Sequence, residues 1–135
     1  MPDDDVYPAD EVPAIRQVMM PRDTNALGTI FGGVILAQID LAAAIEAHKL
    51  HPARVVTVSM DKIEFKKPVQ VGDLVSFFTR PVRVGRSSMT VHVSVWAHRR
   101  FGGGEHVHVT EAEVTMVAVD DEFKPVPIGS LPVQA

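Results

Sequence analysis

The apolar segment over residues 34–47 constrains the fold more than any other feature of this chain. Its only polar residues are Gln38, Asp40 and Glu46. A helix on a protein surface carries a wide charged face, so this composition predicts a helix that is largely buried. We expect the helix to cover residues 30–50 and to end before the proline that follows.

Four longer segments after the helix are typical of β-strands. The clearest is 88–98, in which every second position from Met89 to Ala97 is apolar. The segments 54–66 and 105–119 change phase midway, which indicates a bulge that bends each strand. The predicted strands cover residues 54–66, 73–84, 87–100 and 105–119, after a short first strand at 14–20.

One buried helix followed by long antiparallel strands is an α+β arrangement, in which a curved sheet wraps around the helix. A length of 135 residues fits one domain. We assign that domain to residues 13–128, with a flexible acidic N-terminal segment at 1–12 and a C-terminal tail at 129–135. An exposed sheet edge and incomplete cover of so apolar a helix favour dimerisation.

The composition excludes several kinds of functional site and several classes of protein. The chain has no cysteine, which excludes disulfides, thiolate metal sites and cysteine nucleophiles. Its 46% hydrophobic and 22% charged residues are ordinary for a soluble protein, and it has neither a membrane-length apolar run nor a secretory signal pattern. We therefore expect a cytoplasmic protein without a membrane partner.

Charge is unevenly distributed along the chain. The first eleven residues hold five acids and no Lys or Arg, which leaves 12 acids against 13 bases in the remainder. Domains that bind nucleic acid are usually strongly basic, so a nearly neutral body favours a small anionic ligand over nucleic acid as the partner.

Asp40 is the most informative polar residue, because it lies in the middle of the apolar helix. A buried carboxylate is costly to desolvate, so one that persists is usually paired, neutralised or functional. Two interpretations stay open at this point: a catalytic carboxylate, or a structural one that caps a loop or pairs with a base across an interface.

The Gly32-Gly33 pair begins the helix, where main-chain N–H groups lack acceptors within the helix. Such a start can hold an oxyanion or a phosphate, or it can serve only as a tight packing turn. In the loop before it, Asn25 could orient water or a carbonyl group, or hydrogen-bond its own turn.

Two further groups of residues, a turn and a set of histidines, each have two possible roles. The turn Arg86-Ser87-Ser88 offers a guanidinium and hydroxyl groups to a phosphate, or is an ordinary polar hairpin. His98, His106 and His108 could share one face of a hairpin and hold zinc, but a polar outer face is the favoured reading. No Gly-x-Ser-x-Gly motif supports a serine hydrolase.

Taken together, several motifs over residues 14–128 resemble the bacterial YciA-like acyl-CoA thioesterases. The motifs are Met20-Pro21-Arg22-Asp23-Thr24-Asn25, Gly28-Thr29-Ile30-Phe31-Gly32-Gly33, Asp40, Arg54-Val55-Val56-Thr57-Val58, Phe65-Lys66-Lys67-Pro68, Val71-Gly72-Asp73, Val84-Gly85-Arg86-Ser87-Ser88 and residues 115–120. Their order and spacing are far more specific than any single motif.

The resemblance implies a hotdog fold that pairs as dimers, with a possible hexamer, and an acyl-CoA substrate cleaved without metal or cofactor. It implies Asp40 as general base or nucleophile, the Gly33 amide as oxyanion donor and Asn25 as the group that orients water or substrate. The substrate-binding residues that it implies are Gly32, Thr57, Lys66, Lys67, Arg86, Ser87 and Ser88. Each site is expected to combine two chains.

Two alternative functions remain open at this stage. A hotdog enoyl-thioester hydratase or dehydratase uses a histidine in the helix region, whereas His48 and His51 lie at the far end of this helix. A non-catalytic acyl-CoA-binding hotdog protein would bind thioesters without releasing thiol.

Overall fold

The computed structural model describes residues 6–130 and consists of one long helix packed on one antiparallel sheet. The elements in chain order are β1 (Ile15–Val18), a short 3-10 turn (Pro21–Asp23), α1 (Gly32–Leu50), β2 (Val55–Asp61), β3 (Leu74–Val84), β4 (Ser88–His98) and β5 (His106–Ala118). The sheet order is β1-β3-β4-β5-β2, and every neighbouring pair is antiparallel. The predicted α+β arrangement is confirmed. The outermost parts of the two predicted terminal segments, residues 1–5 and 131–135, lie outside the described residues.

Helix α1 packs one face against the concave side of the sheet. Its buried apolar residues follow helical spacing, and they are Ile35, Ile39, Ala42, Ala43 and Ala47. They meet the alternate apolar positions of β4, from Met89 to Ala97, which are all buried as predicted. This single cluster forms the core.

The convex side of β4 is partly covered by the N-terminal segment. Tyr7 packs edge-on against Trp96, with ring centroids 5.6 Å apart, and Arg16 donates a hydrogen bond to the Tyr7 hydroxyl at 3.2 Å. Trp96 is therefore buried although it lies on the face predicted to be polar. The segment over residues 6–12 is tied to the sheet at this point.

Bulges in β5 and β2 bend the sheet, which the phase changes in the sequence predicted. In β5, Val109 is the extra residue opposite the step from Val95 to Trp96. In β2, Val58 is the extra residue within the pairing to β5.

The prediction of one continuous strand over residues 54–66 is wrong. Strand β2 ends at Asp61, because Lys62 adopts a left-handed conformation with φ 59° that the ladder does not tolerate. The chain then follows β5 only through single contacts, in which Thr110 Oγ1 donates to Glu64 O at 2.7 Å and Lys66 N donates to Val109 O at 2.8 Å. No helix among the described residues is both long and apolar enough to span a membrane.

Candidate active site

Asp40 lies at the border between the buried and exposed faces of α1, on the side of strand β2. The Thr57 hydroxyl donates a hydrogen bond to Asp40 Oδ1 at 2.6 Å. Asp40 is half-buried, so its carboxylate is held in place but stays within reach of a ligand.

The start of α1 carries two glycines next to the ring of Phe31. Phe31 is the N-cap, and its side chain offers no acceptor to the first turn. Val34 N donates to Phe31 O at 3.0 Å, so the N–H groups of Gly32 and Gly33 are the ones without an acceptor within the helix. A Cβ at Gly33 would lie 2.6 Å from the Phe31 ring, so any larger residue forces that ring to move. Glycine therefore lets the ring cover the helix start closely.

A cavity of about 330 Å³ adjoins this helix start. Gly32, Phe65, Lys66 and Lys67 are among its lining residues. Both lysines are exposed, and Lys66 Nζ lies 3.6 Å from a carboxylate oxygen of Glu111. Two cations beside unpaired N–H groups suit an anionic ligand.

The loop that carries Lys66 and Lys67 is anchored by a buried ion pair. Arg99 pairs with Asp73 and also donates to Pro68 O at 2.8 Å. The Asp73 carboxylate accepts in addition from Gln70 N at 2.9 Å. These bonds fix the wall of the cavity from behind.

Asn25 hydrogen-bonds within its own loop. Its Oδ1 accepts from the main-chain N–H groups of Leu27 at 2.8 Å and Thr29 at 3.2 Å. Its Nδ2 donates to the Thr29 hydroxyl at 3.0 Å. Of the two roles considered for Asn25, this conformation displays the loop-stabilising one.

The Arg86-Ser87-Ser88 turn lies at the opposite end of α1. Arg86 O accepts from Ile128 N at 2.7 Å, and the next residue, Gly129, donates to the ring of His51, the C-cap of the helix. With a rise of about 1.5 Å per residue, the two ends of this helix are about 28 Å apart. The guanidinium is exposed on a turn far from Lys66 and Lys67.

Apart from Asn25, which hydrogen-bonds within its own loop, the predicted site residues form three separate groups within one chain. Asp40 and Thr57 meet in the middle of the helix, the glycine pair and the two lysines meet at its start, and the Arg86 turn lies at its end. Sequence reasoning assigned Thr57 to substrate binding and missed its contact with Asp40. A threonine on a strand 17 residues downstream gives no local signal for that contact.

The exposed side of α1 is as apolar as its buried side. Leu41 is 53% exposed and Ile45 is 42% exposed. Phe31, Phe65 and Val58 extend this apolar surface toward the helix start and strand β2, and all three are exposed. A patch of this kind marks an interaction surface.

The histidines of the hairpin between β4 and β5 stack on one another. The rings of His98 and His106 are 4.6 Å apart at an interplanar angle of 18°. Burial lowers the pKa of His106, and the nearby His98 and Arg16 lower it further. Among residues 6–130, no group of three or more His, Asp or Glu side chains has the geometry to hold a metal ion.

Comparison with known proteins identifies the family. Residues 27–100 match the Thioesterase superfamily. The acyl-CoA thioester hydrolase YciA of Escherichia coli is 40% identical over 122 residues, which cover 89% of this chain and 90% of that protein.

Solved structures agree. A hexameric hotdog-fold thioesterase of Campylobacter jejuni is 50% identical, with a TM-score of 0.82 over 87% of this chain and 90% of that one. An acyl-CoA hydrolase of Staphylococcus aureus, solved with butyryl-CoA, CoA and CoA disulfide, is 37% identical, with a TM-score of 0.77 over 90% of this chain and 74% of that one. The chain belongs to the thioesterase superfamily and has the hotdog fold, which confirms the family inferred from its motifs.

Proposed function

We propose that this chain is an acyl-CoA thioester hydrolase that releases a free fatty acid and CoA, with Asp40 as its central catalytic group. The observation that carries the proposal is a carboxylate held by Thr57 at the border of an exposed apolar helix face. Its relatives named as acyl-CoA thioester hydrolases support the substrate class.

Thioester hydrolysis needs two things that these residues can supply. A base or nucleophile must activate or replace water, and donors must stabilise the oxyanion that develops on the carbonyl oxygen. Asp40 supplies the first, and the Gly33 N–H at the helix start supplies the second. Asn25 would orient water or substrate after exchanging one of its loop hydrogen bonds. The chemistry uses water and groups of the protein, so we propose no cofactor.

Each site combines two chains in this proposal. Gly33 and Asp40 are seven residues apart on one helix, which corresponds to about 10 Å along its axis. A base and an oxyanion donor must each lie within about 3 Å of the reacting group or of its water. Two helices that pack antiparallel through their exposed apolar faces would bring the start of one helix beside the middle of the other.

Assembly of several chains also accounts for the separated phosphate-binding residues. The phosphates of CoA are all on its nucleotide end, so one molecule cannot contact groups at both ends of a single α1. Lys66 and Lys67 from one chain and the Arg86-Ser87-Ser88 turn from another would meet around one nucleotide. Gly32 would contribute its N–H at the helix start, and Thr57 would line the site beside Asp40.

Self-assembly is therefore part of the proposed function. The exposed residues Leu41, Ile45 and Val58 would be covered by a second copy of the chain, and a dimer is the smallest assembly that does so. The hexameric relatives support a hexamer, for which we propose a trimer of such dimers.

The test is release of free thiol from a panel of acyl-CoA substrates of increasing chain length. We expect turnover in the wild type and its loss in Asp40→Asn, with CoA binding retained. Asp61→Asn, which changes an exposed aspartate at the end of β2, is the matched control and should keep wild-type turnover. CoA binding without thiol release by the wild type would instead identify a non-catalytic binding protein.

A further inference from the structure

Residues 125–130, here called the strap, fasten the Arg86 turn to the end of helix α1. The strap begins beside β5, where Val126 N donates to Ala118 O at 2.9 Å. Ile128 N then donates to Arg86 O at 2.7 Å, and the Ile128 side chain packs against the core. The strap thus contacts the sheet, the turn and the helix within five residues.

The contact with the helix is made by a histidine side chain. Gly129 N donates to His51 Nδ1 at 3.0 Å, and His51 is only 1% exposed. Because Nδ1 accepts this bond, the ring is neutral and carries its proton on Nε2. His51 Nε2 is buried and has no hydrogen-bond partner among the described residues.

A buried donor without an acceptor is costly, so a side chain that only filled space here would be better apolar. The acceptor at Nδ1 is the feature that an apolar residue cannot replace. This acceptor holds Gly129 in place, and the preceding residue, Ile128, binds Arg86 O.

We propose that His51 is a positioning residue for CoA binding, which acts on the Arg86 turn through Ile128 and Gly129. This inference rests on the proposed function, since it takes Arg86 as a phosphate-binding residue. His51 itself lies too deep to contact the substrate. Its bond to Gly129 fixes the strap, and the fixed strap keeps the turn in one conformation before CoA arrives.

Two substitutions separate this role from general packing. In His51→Asn, the amide oxygen reaches about the place of Nδ1 and can still accept from Gly129. In His51→Leu, the acceptor is lost while an apolar side chain fills most of the space. His51→Gln replaces the leucine variant if that one does not fold, because its oxygen lies one bond farther out, nearer the place of Nε2.

The experiment measures kcat and KM for acyl-CoA, and CoA affinity by calorimetry, in these variants. We expect His51→Leu to raise KM and the CoA dissociation constant about fivefold, the usual effect of one lost hydrogen bond, with kcat within about twofold of wild type. His51→Asn should restore wild-type values. The control Lys49→Leu changes an exposed side chain at the same helix end that contacts Glu46 and not His51, and it should leave KM unchanged.

A double-mutant cycle with Arg86→Ala tests whether His51 affects CoA binding through the Arg86 turn. If His51 acts through the turn, His51→Leu should add less than about twofold to the KM of Arg86→Ala. Full additivity, an unchanged KM in His51→Leu, or equal losses in the asparagine and leucine variants would each overturn the inference. A wild type that binds CoA without turnover would contradict the proposed function alone, because the calorimetric comparison of variants stands without catalysis.

Discussion

The two faces of helix α1 have similar composition and opposite surroundings. The face that meets the sheet carries Ile35 and Ile39, which are fully buried, whereas the opposite face carries Leu41 and Ile45, which are exposed. A single sheet covers only one side of the helix. We propose that a second copy of the chain covers the second face, and Asp40 lies where the two environments meet.

The polar contacts of the helix repeat this division. Thr79 donates to Glu46 Oε1 at 2.8 Å on the sheet side, where the glutamate is buried. Thr57 donates to Asp40 on the border, where the carboxylate is half-buried. In both pairs a threonine hydroxyl donates to a carboxylate. Substitutions in the two pairs can therefore distinguish a structural role, at Glu46, from the proposed catalytic role, at Asp40.

The largest effect is expected on the exposed face. Leu41→Glu adds a charge to the surface that we propose to be covered by a partner, and an unpaired buried charge opposes association. We expect the assembly to dissociate and turnover to fall about a hundredfold or more, since the oxyanion donor would leave the site. Light scattering and thiol release measure both quantities. A variant that keeps its assembly and its turnover would show that this face is not an interface.

On the buried face, Ile39→Ala should act on stability instead. Removal of a fully buried side chain leaves a cavity, and the expected loss is about 3 kcal/mol in the free energy of unfolding. Turnover per folded molecule should change little at a temperature where the variant is folded. Denaturant unfolding checks the stability. A loss of turnover without a loss of stability would contradict the division between the faces.

The smallest effect is expected at Thr57. Thr57→Val removes the hydroxyl that holds Asp40, and kcat should fall about tenfold, as for a lost hydrogen bond to a charged group. The matched control is Thr79→Val, which removes the same kind of bond to Glu46 and should lower stability while kcat stays unchanged. Steady-state kinetics of both variants decide between the roles. Equal effects on kcat would mean that Thr57 has no special relation to catalysis.

Local patterns in the sequence predicted the elements that depend on local rules. The long apolar segment of α1, the alternation in β4 and the phase change at Val109 all correspond to structure. The end of β2 could not be predicted, because a left-handed lysine at position 62 has no composition signal. Covering of Trp96 by Tyr7 depends on a contact between distant segments, which no local pattern encodes.

The candidate site was predictable as a set of residues but not as an arrangement. Helical rise alone separates Gly33 from Asp40 by about 10 Å, so the sequence already implies that they do not act together in one chain. Arg86 lies in the turn between β3 and β4, so its position at the far end of the helix depends on how the sheet packs on the helix, which the motifs do not encode. The Thr57 contact likewise depends on how β2 packs beside the helix.

The most direct test of the two-chain site is complementation between two inactive chains. Asp40→Asn removes the proposed base, and Gly33→Pro removes the proposed oxyanion N–H within the first turn of the helix, where proline is tolerated. Because any Cβ at position 33 also displaces the Phe31 ring, Gly33→Ala, which adds the Cβ but keeps the N–H, is the control and should stay more active than Gly33→Pro. Asp40→Asn and Gly33→Pro should each be inactive alone. Coexpressed in equal amounts, they should recover about a quarter of wild-type turnover, because half of the symmetric dimers are mixed and one of their two sites is intact. Recovery at this level is the predicted result. A mixture as inactive as its components would show that Asp40 and Gly33 serve the same site from one chain.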